Sequence, residues 1–105
     1  MQYPSAPVVE TRQGALISFT EDNTHVWCGI PYAAPPVGPW RWRSPRPPAR
    51  WDGVRPATAF SASSWQSSES CQELGGGDPG QFSEDCLYLN VWSPIARAAP
   101  LPVMV

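Results

Sequence analysis

Three cysteines and a single histidine, Cys28, Cys71, Cys86 and His25, carry the most versatile chemistry in this chain. Four such groups match the ligand count of a structural zinc site. Their spacing, however, lacks the paired close ligands that such a site uses, so no metal is expected. His25 sits among Thr24, Val26 and Trp27, a β-forming run. A catalytic base needs a nucleophile within hydrogen-bond reach, and nothing in that run offers one, so His25 reads as structural. Serines are plentiful (Ser61, Ser63, Ser64, Ser67, Ser68, Ser70), but none lies in a G-x-S-x-G frame. A serine on a flexible loop is not activated for attack. "GGGDPG", residues 75–80, formally satisfies G-x-G-x-x-G. A dinucleotide fingerprint needs a strand before it and a helix after it, whereas a proline and a loop follow here, so it reads as a turn. Catalytic residues: none.

Charge is the other chemistry available. All seven basic residues are arginine, and Arg41, Arg43, Arg46, Arg50 and Arg55 fall within fifteen positions. "GPWRWRSPRPPARW", residues 38–51, interleaves four of them with three tryptophans. Arginine forks and aromatic faces are what single-stranded nucleic acid binds, and a Trp/Arg-rich peptide can also lie on a membrane. Acids are segregated too, with Glu69, Glu73, Asp78, Glu84 and Asp85 between positions 69 and 85. In a chain of net charge −2, two opposed blocks suggest some internal pairing and give no global pull toward a polyanion.

The elements that must position these groups are short and irregular. The 105 residues bound the chain to one domain, and 14 prolines with 8 glycines imply much turn-rich backbone. No apolar run approaches the ~20 residues that span a bilayer. The opening "MQYPSAPVVETRQGAL" lacks the charged and apolar regions of a signal peptide, so a cytoplasmic location is expected. "APVVETRQGALISF" reads as a hairpin turning at Gln13-Gly14, and "THVWCGI" as a strand. Eight prolines between positions 31 and 56 forbid a helix or central strand there. Residues 61–83 read as a loop, "CLYLNVW" (86–92) as a strand stopped by Pro94, and "LPVMV" (101–105) as the start of a buried strand.

"EDCLYLNVWSP", Glu84 to Pro94, is the strongest local signal. It matches at every position a signature of the type-B carboxylesterases, the family of cholinesterases and bacterial para-nitrobenzyl esterases. Further stretches resemble that family in its own order. They are "WCGIPYAAPPVGPWRWRSP", "WDGVRPATAF", "SCQ", and "LPVMV" as the strand leading into a His-Gly-Gly-Gly turn. Together they cover residues 7–105.

The resemblance implies the N-terminal portion of an α/β-hydrolase, about a fifth of one. It would comprise a small antiparallel sheet, Pro-rich loops and the first strands of the main sheet, with residues 1–105 an incomplete carboxylesterase domain. In such enzymes an elbow serine attacks an ester carbonyl, a carboxylate-oriented histidine takes its proton, and backbone N–H groups hold the oxyanion. All these groups would come after Val105, so the chain alone is expected to be inactive and to need no cofactor. The substrate would be a small-molecule ester of the full-length enzyme. By the same resemblance Cys71 and Cys86 match a disulfide closing the loop 72–85, a constraint of about 3 kcal/mol in the entropy model if it is not kept reduced. Leu74 and Phe82 on that loop become candidates for the rim of the substrate gorge, and Cys28 a buried free thiol.

The Trp/Arg stretch also gains a structural role. Arg41 matches a recurrent arginine that pairs with an acid two before the second cysteine, here Glu84. A bidentate pair would tie the proline segment to the strand entrance. Arg43, Arg46 and Arg50 are then expected in solvent, and neither nucleic acid nor membrane is expected as partner. A free-standing Trp/Arg binding module is the alternative, and a pseudo-esterase fragment pairing through its last strand is a third reading. Without neighbouring strands, "CLYLNVW" and "LPVMV" would leave hydrophobic edges and marginal solubility.

Overall fold

The computed structural model describes residues 7–105; the first six residues of the stretch read for a leader, and Ala6 of the first hairpin, lie outside them. Two three-stranded sheets share one run of chain. Strand β1 (Val8–Glu10) pairs antiparallel with β2 (Ala15–Ile17), and β5 (Val54–Pro56) adds parallel to the other side of β2. After Ser18 the chain continues as β3 (Phe19–Glu21) in a second, antiparallel sheet ordered β3-β4-β6, with β4 spanning Thr24–Pro31 and β6 Tyr88–Pro94.

Local sequence explains the turns. Between β1 and β2, Thr11 and Gly14 exchange backbone hydrogen bonds of 2.9 and 3.2 Å, and the Thr11 hydroxyl donates to the Gly14 carbonyl at 2.8 Å. Gly14 (φ +151°) is glycine for a second reason. A Cβ there would stand 2.5 Å from the Trp51 indole nitrogen, which donates to the Ala15 carbonyl at 2.8 Å. Asp22 and Asn23 (φ +47° and +59°) form the two-residue turn from β3 to β4. Both positive φ values match the twist of a hairpin, and these short polar residues tolerate that region better than others.

In β4 a register shift falls between Trp27 and Ile30. There the Cys28 N–H turns away to the Ala57 carbonyl at 2.9 Å, and the Gly29 N–H is taken by the Asn90 side chain at 3.0 Å. Gly29 has φ +68°, and a Cβ would meet the Ala59 carbonyl at 2.8 Å. The bulge thus lets the 57–61 segment cross β4 at close range.

The core is thin. Ala15, Leu16, Val26, Cys28, Ala33 and Ala57 are its buried apolar members, only two of them large aliphatics. With so little area removed from water, the hydrophobic term is correspondingly small. Backbone and side-chain hydrogen bonds from the proline segment supplement it, through Trp51, Ala34 with Arg46, and Tyr32 with Leu87.

Two expectations are corrected. Residues 61–83 contain a short helix, α1 (Ser68–Glu73), because Ser67 caps its start by accepting from the Ser70 N–H at 3.2 Å. Its end is a double backbone closure, Gly75 N–H to Gln72 and Gly76 N–H to Cys71, with Gly75 at φ +79°. The "GGG" of the apparent fingerprint is therefore mostly a helix stop. "LPVMV" is not a buried strand: residues 101–105 are exposed and unpaired, since no strand among the described residues lies beside them. No helix among the described residues is long and apolar enough to cross a membrane.

Candidate functional site

The stretch with most functional promise, residues 61–90, folds over an open cleft of about 550 Å³ lined by Phe60, Ser63, Gln66, Gln81, Tyr88 and Asn90, among others. A parallel bridge joins Ser63 and Phe82, through Ser63 N–H to the Gln81 carbonyl (2.8 Å) and Ser83 N–H to the Ser63 carbonyl (3.0 Å). The Ser63 hydroxyl donates to the Pro79 carbonyl at 2.7 Å. A serine that gives its proton to an amide carbonyl is held by the wrong partner for attack, because a carbonyl is no base.

His25 is not among the residues lining the cleft. It lies on β4 edge-on to Trp27, ring centroids 5.9 Å apart, its Nδ1 buried without a partner among the described residues. No group of three or more His, Cys, Asp or Glu side chains gathers among the described residues.

The structure brings Arg41 and Glu84 together, with Nη1 3.1 Å from Oε2. The contact is single rather than bidentate, and both side chains are 53% exposed, so water screens it. Arg41 also leans over Trp42 at 5.7 Å. Arg46 is exposed, as expected, and it also makes an aromatic contact. Its guanidinium stacks on the Trp40 ring, 3.5 Å from the centroid, and Arg55 stands 5.3 Å over Trp51. Flat, weakly hydrated guanidinium groups are suited to such stacking. Arg43 and Arg50 are exposed.

The expected disulfide is not formed. Cys71 and Cys86 are both free thiols, as is Cys28. Cys71 is drawn into α1, and its Sγ donates to the Gln66 Oε1 at 2.9 Å, turning it to its own side of the loop. Burial, with the nearby Glu21 charge second, pushes the Cys28 thiol up from its ordinary pKa.

Leu74, at the C-terminal end of α1, is 88% exposed. Phe82 packs against Trp65 with ring centroids 5.4 Å apart. Trp65 escaped the sequence reading; an isolated aromatic in a serine-rich segment gave no periodic signal. Tyr88, on β6, is held above the usual phenol range by burial first and then by a hydrogen bond and negative charge from Asp85, with Arg55 pulling the other way.

Comparison with known proteins agrees with this arrangement. The carboxylesterase family profile matches residues 5–105. The chain is 45% identical over 98 residues to para-nitrobenzyl esterase of Bacillus subtilis (strain 168), covering 93% of this chain and 20% of that protein. It is 46% identical over 102 residues to phenmedipham hydrolase of Pseudarthrobacter oxydans, again 20% of that protein. Among solved structures, a thermophilic pNB esterase superposes with a TM-score of 0.81 at 41% identity, covering 90% of this chain and 20% of the other. The chain thus spans about a fifth of the length of the relatives it matches. Its two small sheets and linking loops are those of the N-terminal portion of an α/β-hydrolase, and the chain belongs to the carboxylesterase family.

Proposed function

We propose that these residues are the N-terminal scaffold of a serine carboxylesterase, cleaving small-molecule carboxylic esters with catalytic groups that the 105 residues do not include. The observation that carries the reading is the block Glu84–Pro94. It forms β6 against β4 and is tied by Glu84 to Arg41, in a chain 45% identical to a para-nitrobenzyl esterase. The cleft's content supports inactivity of the chain alone. It holds hydroxyls, amides, a thiol and the Asp78 carboxylate but no histidine, so no serine there has the imidazole base that this chemistry uses.

In the proposed enzyme, the segment 101–105 leads into the backbone N–H groups that stabilise the oxyanion. Leu74 and Phe82 stand at the entrance to the serine. Only fourteen residues separate Cys71 from Cys86, and such a short rim leaves a wide entrance suited to varied acyl groups. A cytoplasmic setting belongs to the same proposal; in a reducing compartment Cys28, Cys71 and Cys86 would stay thiols.

The test uses the protein read from its full coding sequence. Hydrolysis of p-nitrophenyl acetate, abolished by a serine-directed phosphonate and accompanied by turnover of bulkier acyl esters, is expected. Strict preference for choline esters would contradict the wide entrance. Absence of phosphonate-sensitive hydrolysis would contradict the enzyme assignment.

A further inference from the structure

Within the proline-rich segment lies a second cleft, of about 470 Å³, lined by Pro39, Trp40, Arg43, Ser44, Pro45 and Arg46. We propose that it binds a small organic carboxylate with a flat apolar body, the carboxylate on the two guanidinium groups and the body against Pro39 and Pro45.

The charge argument comes first. The pair Arg41–Glu84 is the single ion pair among the described residues, so Arg43 and Arg46 have no carboxylate partner there, and no acid lines the cleft. Two forks beside one hydroxyl form a cationic mouth, and arginine matches the two oxygens of a carboxylate better than a point charge would.

Rigidity is the second argument. A 3-10 turn over Gly38–Trp40 is held by Trp40 N–H to Val37 and Arg41 N–H to Gly38, and the next turn by Arg43 N–H to Trp40. The Arg46 carbonyl is fixed by the Ala34 N–H at 2.9 Å, while its guanidinium lies 3.5 Å from the Trp40 ring centroid. Between them Trp42 is driven to φ +62°, a conformation a bulky residue rarely adopts. The strain places Arg41 and Arg43 on successive turns with separate tasks, one toward Glu84 and one at the cleft. Side chains held in advance lose less freedom when they bind.

The same geometry argues against a nucleic-acid strand. The Trp40 face that would stack on a base is already covered by Arg46, and a chain of net charge −2 gives little counterion-release drive. The inference stands apart from ester hydrolysis and does not depend on it.

Titration of the protein read from its full coding sequence with sodium benzoate at constant ionic strength, followed by the Trp40 indole and arginine side-chain N–H resonances, tests it. Saturable shifts confined to Trp40, Arg43 and Arg46 are expected, with millimolar or tighter dissociation. The double variant R43A/R46A should weaken binding by about tenfold or more, and R46K by less, because it keeps charge but loses the fork. R50A should bind as the parent does. These side chains are on the surface, so unchanged far-ultraviolet circular dichroism is expected for every variant. Linear, unsaturable shifts would overturn the proposal, as would full binding by R43A/R46A. Inorganic phosphate binding as tightly as benzoate would remove the apolar part of the claim, and tight salt-sensitive binding of single-stranded DNA would replace it with a polyanion site.

Discussion

Gly29 shows how much a single residue decides. Its φ of +68° and the Ala59 carbonyl 2.8 Å from where a Cβ would stand leave a side chain neither conformation nor room. In the protein read from its full coding sequence, Gly29→Ala is expected to cost about 1–3 kcal/mol of stability, read as a lower urea midpoint. Arg41 and Glu84 lie at the other extreme. A single half-exposed contact is worth roughly 0–1 kcal/mol, so a double-mutant cycle should give a coupling in that range that shrinks with added salt. Cys28 and Tyr88 both titrate higher in the folded chain than their ordinary values. A raised folded pKa contributes stability that is fully present at neutral pH and is lost as pH climbs past the unfolded value toward the folded one. Stability should therefore fall above about pH 9 to 10, and Tyr88→Phe should flatten the upper part of that decline. Iodoacetamide at pH 8 should label Cys71 and Cys86 well before Cys28, since a buried thiol is protonated and shielded. The Arg41–Glu84 pairing came from a motif, and motifs specify partners without specifying geometry. That is why its single contact and the free thiols of Cys71 and Cys86 needed coordinates.

At the scale of elements, the sequence was most legible where proline and β-branched residues decide locally. The strand within Thr24–Ile30, the stop at Pro94 and most of the irregular 31–56 stretch were read from it, though that stretch ends in the edge strand β5. What escaped depends on partners distant in sequence. Nothing local says that the chain changes sheets at Ser18, or that Val54–Pro56 adds parallel to β2. Helix α1 was hidden because serines with glycines resemble a loop until Ser67 is seen to cap and Gly75-Gly76 to close it. Removing that cap, Ser67→Ala, should cost about 1 kcal/mol in helix α1. Native-state hydrogen exchange at residues 70–76 would report it with little change in β4. Within β2, Leu16 is one of the two large apolar side chains fully out of solvent. In the protein read from its full coding sequence, Leu16→Ala is expected to cost about 2–5 kcal/mol by thermal or chemical melting, whereas Leu74→Ala, at 88% exposure, should leave stability within about 0.5 kcal/mol.

For the whole molecule, the balance between core and surface is the governing fact. Six buried apolar residues hold the sheets, while Trp42, Leu74, Val103, Met104 and Val105 are almost fully exposed. An edge strand and apolar ends of this kind favour association, so the 105 residues alone should aggregate with rising concentration and melt without a sharp transition. In the proposed enzyme the apolar end 101–105 and the open strand edges are interior. The scaffold would orient a nucleophile supplied elsewhere; among the described residues the Ser63 hydroxyl donates to a carbonyl, and His25 Nδ1 has no hydrogen-bond partner. Hydrolysis of p-nitrophenyl acetate by the isolated 105 residues, with and without a serine-directed phosphonate, measures that claim most directly. No phosphonate-sensitive turnover above buffer is predicted, and sustained turnover that the phosphonate abolishes would contradict it.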